Sequence, residues 1–338
     1  MTKQDEKYME MCFKLALKGK KHVAPNPMVG CVVLDKNGKV VSKGYHKKYG
    51  ENHAERNTLL KLQNNEAEGG ILYVNLEPCS HFGKTPPCTD IIIEKKIKKV
   101  VIGMRDINPQ VDGISVLKKA GIEVVTGVLE DKARFLNRVF IKNMTEKLPY
   151  VVLKTATTMD GKIATSNGNS KWITCEKARE EVYQMRSEFD CIMTSSNTII
   201  ADNPKMEHKF KCILDKDLRT PKNVQIYSQG EIYIASKENT PLKEGRLDIK
   251  SVLHTLYSKG IYTVFVECGG TLAGSMLKEG LIDEIYQFIA PKILNDNSGK
   301  SAFNGDSISK ISDSKVLKIY ETKQIGCDIL LKAVYNSL

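Results

Sequence analysis

One imidazole, two thiols and one carboxylate stand close enough in the sequence to make a hydrolytic metal centre. His53-Ala54-Glu55 is followed by Glu77-Pro78-Cys79 and then by Pro86-Pro87-Cys88. His53, Cys79 and Cys88 would give zinc three protein ligands and leave a fourth tetrahedral position for water. That is the open arrangement of catalytic zinc, whereas structural sites are usually closed by four ligands. Zinc lowers the pKa of such a water to about 7. Glu55, two residues past the histidine, could take the water's proton and deliver it to a leaving nitrogen without binding the metal. A second, weaker pattern lies further on. Strand 262–267 runs into Glu267-Cys268-Gly269-Gly270-Thr271-Leu272-Ala273-Gly274-Ser275 and then a helix. Main-chain amides of a Gly-rich turn at a helix start bind phosphate, although such a turn serves equally as a tight corner. Neither G-x-G-x-x-G nor G-x-x-x-x-G-K-[ST] occurs in the second half.

The elements that must position these residues alternate. Tyr8, Met11, Cys12, Leu15 and Ala16 recur at helical spacing over 5–19. Strands are expected at 28–35 and 39–45, joined at Lys36-Asn37-Gly38-Lys39. A helix from His53 to 63, a buried strand at 71–76 and a helix over 88–96 follow. Both cysteines and the His-x-Glu then fall at or near helix starts. Strand 99–103, helix 114–120 and strand 122–126 complete a layered α/β unit with a partly parallel sheet. Residues 127–149 read as a helical connector ending at Leu148-Pro149. Strands near 150, 190–194, 211–214, 231–235, 262–267 and 283–290, with helices near 175–187, 249–259 and 273–280, make a second α/β unit. The expected domains are therefore 1–146 and 147–338, in keeping with a chain of 338 residues.

Composition narrows the classes. Hydrophobic residues are 41% and charged residues 27%, ordinary for a globular protein and unlike a disordered or collagen-like chain. No stretch approaches the ~20 apolar residues of a membrane span, and the charged amphipathic start lacks a secretory pattern, so a cytoplasmic location is expected. The formal charge is +11. It is spread out, with Lys95, Lys96, Lys98 and Lys99 the densest run and no basic tail, so it suits a small anionic substrate as well as a solvated surface. Nine cysteines without an export signal argue against a disulfide framework.

An H-x-E with later cysteines at helix starts is the signature of zinc nucleobase deaminases. Here the cysteines enclose eight residues, SHFGKTPP. With that loop, Pro78-Cys79 through Pro87-Cys88, the chain resembles the bifunctional riboflavin-biosynthesis deaminase/reductase family. Pro25-Asn26-Pro27-Met28-Val29-Gly30 is similar to the family's substrate loop, and Gly44-Tyr45-His46 with Tyr49-Gly50-Glu51-Asn52-His53 to its first metal segment. Asp106-Ile107-Asn108-Pro109-Gln110-Val111 resembles a later loop, with Ile107 where proline is usual. The resemblance implies a cytidine-deaminase-like α/β/α first domain in which Asn26, His46, His81, Lys84 and Thr85 hold a pyrimidine ribose phosphate. On residue chemistry alone each of these is equally a turn or surface residue.

In the second half the resemblance rests on Leu153-Lys154-Thr155-Ala156 with Met159-Asp160-Gly161, on Ser170-Lys171-Trp172-Ile173-Thr174, on Ala201-Asp202-Asn203-Pro204 and on the Gly-rich turn. It implies a dihydrofolate-reductase-like domain. Ala156, Trp172, Thr198, Asp202 and the seven residues Gly269, Gly270, Thr271, Leu272, Ala273, Gly274 and Ser275 would contact NADPH. Ser170, Arg186, Met206, Lys209 and Glu267 would hold the substrate, and Lys154 would donate a proton as hydride reaches the sugar. Without the family, Arg186 reads as a solvated helix residue and Trp172 as core. The chain departs from the family at Thr194-Ser195-Ser196-Asn197, which replaces a Gly-containing turn, at Asn203, where a second Asp is usual, and at Lys209, aligned with an arginine. Lysine lacks the bidentate grip of arginine.

The resulting expectation is hydrolytic deamination of 2,5-diamino-6-ribosylamino-4(3H)-pyrimidinone 5′-phosphate with Zn²⁺, then reduction of the ribosyl group to ribityl with NADPH. A deaminase with a degenerate reductase half, a nucleic-acid base deaminase and a non-enzymatic zinc-stabilised binding protein are the rivals. Nucleic acid and membrane partners are not expected. A homo-oligomer is, from the resemblance.

Overall fold

Tyr8, Cys12 and Ala16 line the buried face of helix α1 (Lys3–Ala16) in a computed structural model that describes residues 2–63 and 65–335. Thr2 and Asp5 cap that helix reciprocally: the Thr2 hydroxyl accepts from the Asp5 N–H at 3.1 Å and Asp5 accepts from the Thr2 N–H at 3.0 Å. Asp5 also accepts from the Tyr73 hydroxyl at 3.0 Å, which fixes the helix on the sheet behind it.

The chain forms two compact units that part between Glu146 and Lys147. Among the described residues, the first unit holds strands β1 (Gly30–Leu34), β2 (Val40–Tyr45), β3 (Ile71–Leu76), β4 (Lys99–Met104) and β5 (Glu123–Val125), in the order β2-β1-β3-β4-β5. The antiparallel β1–β2 pair closes through Asp35, whose carboxylate accepts from the N–H groups of Asn37 and Lys39 at 2.9 Å each. β1 and β3 are also antiparallel, and β3, β4 and β5 are parallel. Helices α2 (Ala54–Leu59), α3 (Cys88–Glu94), α4 (Gly113–Lys119), α5 (Glu130–Leu136) and α6 (Arg138–Glu146) complete the unit. β1 is buried along its whole length, so it reads as a continuous apolar run, as a strand covered on both faces does.

The second unit is built on β6 (Tyr150–Thr158), β7 (Lys162–Ala164), β8 (Cys191–Ser195), β9 (Phe210–Leu214), β10 (Glu231–Ala235), β11 (Leu242–Lys243), β12 (Arg246–Leu247), β13 (Thr263–Glu267), β14 (Glu284–Ala290), β15 (Lys300–Ser301), β16 (Leu317–Ile325) and β17 (Asp328–Tyr335). Its main sheet runs β10-β9-β8-β13-β6-β14-β17-β16. The strands from β10 to β14 are parallel and the last two join antiparallel. Helices α7 (Glu176–Arg186), α8 (Ser196–Asp202), α9 (Ile249–Ser258) and α10 (Gly270–Lys278) belong to this unit.

Several elements lie outside the expectation from sequence. The β16–β17 hairpin is one: β16 is an edge strand whose side chains are mostly exposed, and its register shifts between Ile319 and Glu321, which breaks the alternation a reader would look for. α8 is another, a short helix where Ser195 and Ser196 had suggested only a turn, and the short β7 is a third. No helix among the described residues is long and apolar enough to cross a membrane.

Candidate active sites

In the first unit, three segments meet at the start of two helices. His53 is the N-cap of α2, Cys88 is the first residue of α3, and Cys79 lies just beyond the end of β3. His53 Nδ1 is 3.4 Å from Cys79 Sγ and 3.6 Å from Cys88 Sγ, and the three donor atoms all lie within 4.8 Å of one another. A tetrahedral zinc with Zn–S of about 2.3 Å and Zn–N of about 2.0 Å would hold nitrogen and sulfur about 3.6 Å apart. The donor set therefore fits the ion in spacing as well as in chemistry. The thiols behave as a pair. Hydrogen bonding from Cys88 and His53 brings Cys79 down to about 4, helped by the Cys88 N–H, which donates to Cys79 Sγ at 3.3 Å. Cys88 is driven well above its ordinary value by its bond to Cys79 and by burial. A cation at this point relieves the repulsion that a second thiolate would meet.

Glu55 sits on the first turn of α2, buried against this centre. Burial and the neighbouring Cys79 push its carboxyl up to about 7, against the opposing effect of His53. The adjacent wall is formed by Asn26 and His46. His46 is buried, which lowers its imidazole below the ordinary value, and its ring meets that of His53 edge-on at 5.3 Å. His46 Nδ1 donates to the Asn52 carbonyl at 3.1 Å, which leaves Nε2 to accept from the Asn26 amide at 3.2 Å. His81, Lys84 and Thr85 lie on the loop between the two cysteines. His81 Nδ1 is buried with no protein partner. Lys84 is exposed, with Nζ 4.0 Å from the centroid of Tyr49. Glu77 was quoted in the motif but assigned nothing; it is buried and ties this loop to the next. Its carboxylate accepts from the Asp106 N–H at 3.2 Å and from the Ile114 N–H at 2.9 Å. It thus supplies the cap that α4 lacks from its own N-cap Asp112.

In the second unit a cleft of about 1730 Å³ opens above the parallel strands. Small-ligand sites run to roughly 300–1,000 Å³, so this one has room for a dinucleotide beside a second molecule. Lys154, Ala156, Ser170, Trp172, Arg186, Thr198, Asp202, Met206 and Glu267 border it, as do Gly269, Gly270, Thr271, Leu272, Gly274 and Ser275. Two of the expected residues are not brought there. Ala273 is buried in the core under α10. Lys209 is exposed and does not border the cleft; its carbonyl accepts from the Glu231 N–H at 2.8 Å, and the neighbouring His208 contacts the Phe210 and Phe189 carbonyls. Lys205, four residues earlier, borders the cleft instead and pairs with Glu207.

A carboxylate with two cations stands at the floor. Glu267 at the end of β13 accepts from Arg186 Nε at 2.6 Å and from Nη2 at 3.1 Å, and Lys154 Nζ is 3.6 Å away. Burial alone would raise the Glu267 carboxyl, and the charges of Arg186 and Lys154 more than reverse this and hold it below its usual value. The glycines divide by purpose. A Cβ on Gly270 would lie 2.2 Å from the Ser301 carbonyl and one on Gly274 only 1.5 Å from that of Asn304, so both permit close packing. At Gly269, the N-cap of α10, a Cβ would meet nothing within 4 Å. Its bare main chain therefore faces the cleft, where an anionic group could approach the helix start. Trp172 is 61% exposed, which rules out the core role, and Arg179 stacks on it at 4.4 Å. Arg219, which drew no attention in the sequence, also borders the cleft and donates to Asn197 Oδ1 at 2.8 Å. A lone arginine in a charged loop carries no signal that separates it from a solvated one.

Comparison with known proteins fits both sites. Residues 2–104 match the cytidine and deoxycytidylate deaminase zinc-binding region, and residues 149–331 match the RibD C-terminal domain. The riboflavin biosynthesis protein RibD of Aquifex aeolicus is 40% identical over 97% of this chain and 97% of its own, and that of Escherichia coli 36% over 98% and 99%. Among solved structures, RibD of Acinetobacter baumannii superposes with a TM-score of 0.83 at 34% identity, covering 99% of each chain. A diaminohydroxyphosphoribosylaminopyrimidine deaminase/5-amino-6-(5-phosphoribosylamino)uracil reductase from Thermotoga maritima superposes with 0.82 at 34% identity, covering 98% of this chain and 99% of its own. With the thiol–imidazole centre in one unit and the cationic cleft in the other, the chain belongs to the RibD family of riboflavin-biosynthesis proteins.

Proposed function

We propose that the two sites divide a two-step conversion between residues 1–146 and 147–338. The first deaminates 2,5-diamino-6-ribosylamino-4(3H)-pyrimidinone 5′-phosphate, and the second reduces its ribosyl group to ribityl. The convergence of His53, Cys79 and Cys88 beside the buried Glu55 carries this reading. These three residues would hold zinc, which would supply a water acidic enough to be the nucleophile near neutral pH. Glu55 accepts that water's proton and returns it to the departing amine, a shuttle that its raised carboxyl suits. Asn26 and His46 orient the ring. The buried, unpartnered His81 Nδ1 offers a hydrogen bond to the substrate, and Lys84 and Thr85 meet its phosphate.

The cofactor of the second unit would be NADPH, a source of hydride. Ala156, Trp172, Thr198, Asp202 and the start of α10 hold it, with the Gly269 main chain toward its phosphates. The substitutions at Ser195 and Ser196 leave α8 formed and both Thr198 and Asp202 on the cleft, which supports a working reductase over a degenerate one. Ser170, Arg186, Met206 and Glu267 position the sugar phosphate, and Lys154 Nζ, beside Glu267, delivers the proton. Lys205, not Lys209, supplies the cation of this segment. A cytoplasmic homo-oligomer completes the reading. Apolar Ile311, Val316 and Ile319, exposed at or just before edge strand β16, support self-association, which light scattering tests.

The test follows ammonia release and NADPH oxidation together on the zinc-loaded protein with the diaminopyrimidine nucleotide. Both signals are expected, with NADPH loss waiting on ammonia. Ammonia alone would remove the reductase half of the reading, and neither signal would overturn the substrate.

A further inference from the structure

Away from both sites, Cys175, Cys327 and Asp328 bring two thiols and a carboxylate within 4.8 Å of one another. Cys175 is the N-cap of α7, and Cys327 lies in Gly326-Cys327, the two-residue turn between β16 and β17. The turn is built onto the first cysteine. Cys175 Sγ donates to the Ile325 carbonyl at 3.4 Å, and Asp328 Oδ2 accepts from the Cys175 N–H at 2.8 Å. A Cβ on Gly326 would lie 2.8 Å from Cys175 Sγ, and φ there is +63°, so glycine is required on both counts. Cys175 is half-buried and Cys327 exposed. Neither belongs to the zinc donors or to the lining of the cleft. Asp328 is committed to hydrogen bonds, one oxygen to the Cys175 N–H and the other to the Cys327 thiol at 3.5 Å, so one carboxylate anchors both cysteines.

We infer that Cys175 and Cys327 are a modification site: they form a reversible disulfide by exchange with a low-molecular-weight disulfide. The exposed Cys327 thiol attacks first, giving up its proton, forming a mixed disulfide and releasing one small thiol. The Cys175 thiol, at the N-cap of α7, then gives up its proton, attacks the Cys327 sulfur and expels the second small thiol. Two protein thiols are oxidised, one external disulfide is reduced to two thiols, and the two protein protons leave on them. Rotation of the exposed Cys327 side chain brings the sulfurs to the bond length of about 2.05 Å. The cross-link fastens the end of segment 170–174, which borders the cleft, to the β16–β17 turn. That coupling to the cleft rests on its reading as the NADPH site; the disulfide itself does not.

The full zinc-loaded chain is treated with glutathione disulfide and mapped with trypsin without reduction. Peptides Trp172–Lys177 and Gln324–Lys332 are expected as one linked species, absent after dithiothreitol and absent from Cys327→Ser. Unlinked peptides with glutathione left on Cys327, or a link between two chains, would overturn the proposal. So would a second equivalent of bound zinc that Cys327→Ser removes, because the cluster would then be a metal site. The coupling is read separately, with the already deaminated nucleotide as substrate so that the zinc centre is bypassed. The apparent KM for NADPH should shift severalfold on oxidation of the parent and stay unchanged in Cys327→Ser. An unchanged KM in cross-linked protein overturns the coupling.

Discussion

Replacing Glu267 with glutamine keeps the shape of the cleft floor and removes its charge. The carboxylate is bonded to Arg186 at 2.6 and 3.1 Å and lies 3.6 Å from Lys154. The three side chains are 10%, 19% and 17% exposed, so solvent screens these charges little. Removing one partner of a buried pair costs about 3–5 kcal/mol, because the other charge is left without compensation. The amide oxygen still accepts from Arg186, which puts Glu267→Gln at the lower end, about 3 kcal/mol. For a unit of this size each kcal/mol moves Tm by about 2–4 °C, so a drop of about 6–12 °C is expected. The pH dependence follows from the depressed carboxyl of Glu267. Its stabilisation is complete above the unfolded value of about 4.3 and is lost as pH falls through the lower folded value. The gap between parent and variant should therefore be constant from about pH 5 to 8 and close below about pH 4. Urea unfolding followed by the fluorescence of Trp172, the single tryptophan, reports on this unit. A gap under 1 kcal/mol, or one that persists once the carboxyl is protonated, would refute the charge argument.

Glu55→Gln should retain one zinc per chain and lose about 10²–10⁴-fold in ammonia release, with metal content and product assayed on the same preparation. Cys79→Ser should lower zinc occupancy and leave NADPH oxidation of the deaminated nucleotide intact, read by metal analysis and absorbance. Gly274→Ala places a methyl 1.5 Å from the Asn304 carbonyl and should destabilise the second unit by about 1–3 kcal/mol while weakening NADPH binding, measured by urea unfolding and titration. Lys205→Ala should raise the KM of the reductase for its nucleotide about 5–20-fold, the worth of one partly exposed charge-assisted contact. Lys209→Ala should leave that KM unchanged.

What the sequence disclosed and what it withheld follow one physical division. Zinc chemistry admits few residue types at few spacings, so His53, Cys79, Cys88 and Glu55 could be named from the chain alone. The structure then places the three donors within 4.8 Å. The strands were legible for a similar reason: β1, β3 and β4 are buried apolar runs with little else they could become. Elements held by tertiary contact were not. Edge strand β16 has no regular alternation, its register shifting between Ile319 and Glu321, and α8 begins at Ser196 with no side-chain cap to announce it.

The cleft in the second unit shows the same division at the level of single residues. A dinucleotide is held by many weak contacts spread over main chain and ordinary polar side chains, and no one residue type is demanded at any of them. Position in the family pattern then stands in for chemistry. Lys209 fits the aligned position of an arginine, yet Lys205 and not Lys209 borders the cleft, while the Lys209 carbonyl is bonded to the Glu231 N–H. Arg219 borders the same cleft from the loop after β9, which pairs with β8, and donates to Asn197 at the start of α8. Which cations face a bound phosphate is therefore decided by strand pairing and loop anchoring, one level above the motif. The contrast between Lys205→Ala and Lys209→Ala measures that level directly. Equal effects would mean that the motif, and not the path of the backbone, chooses the residue.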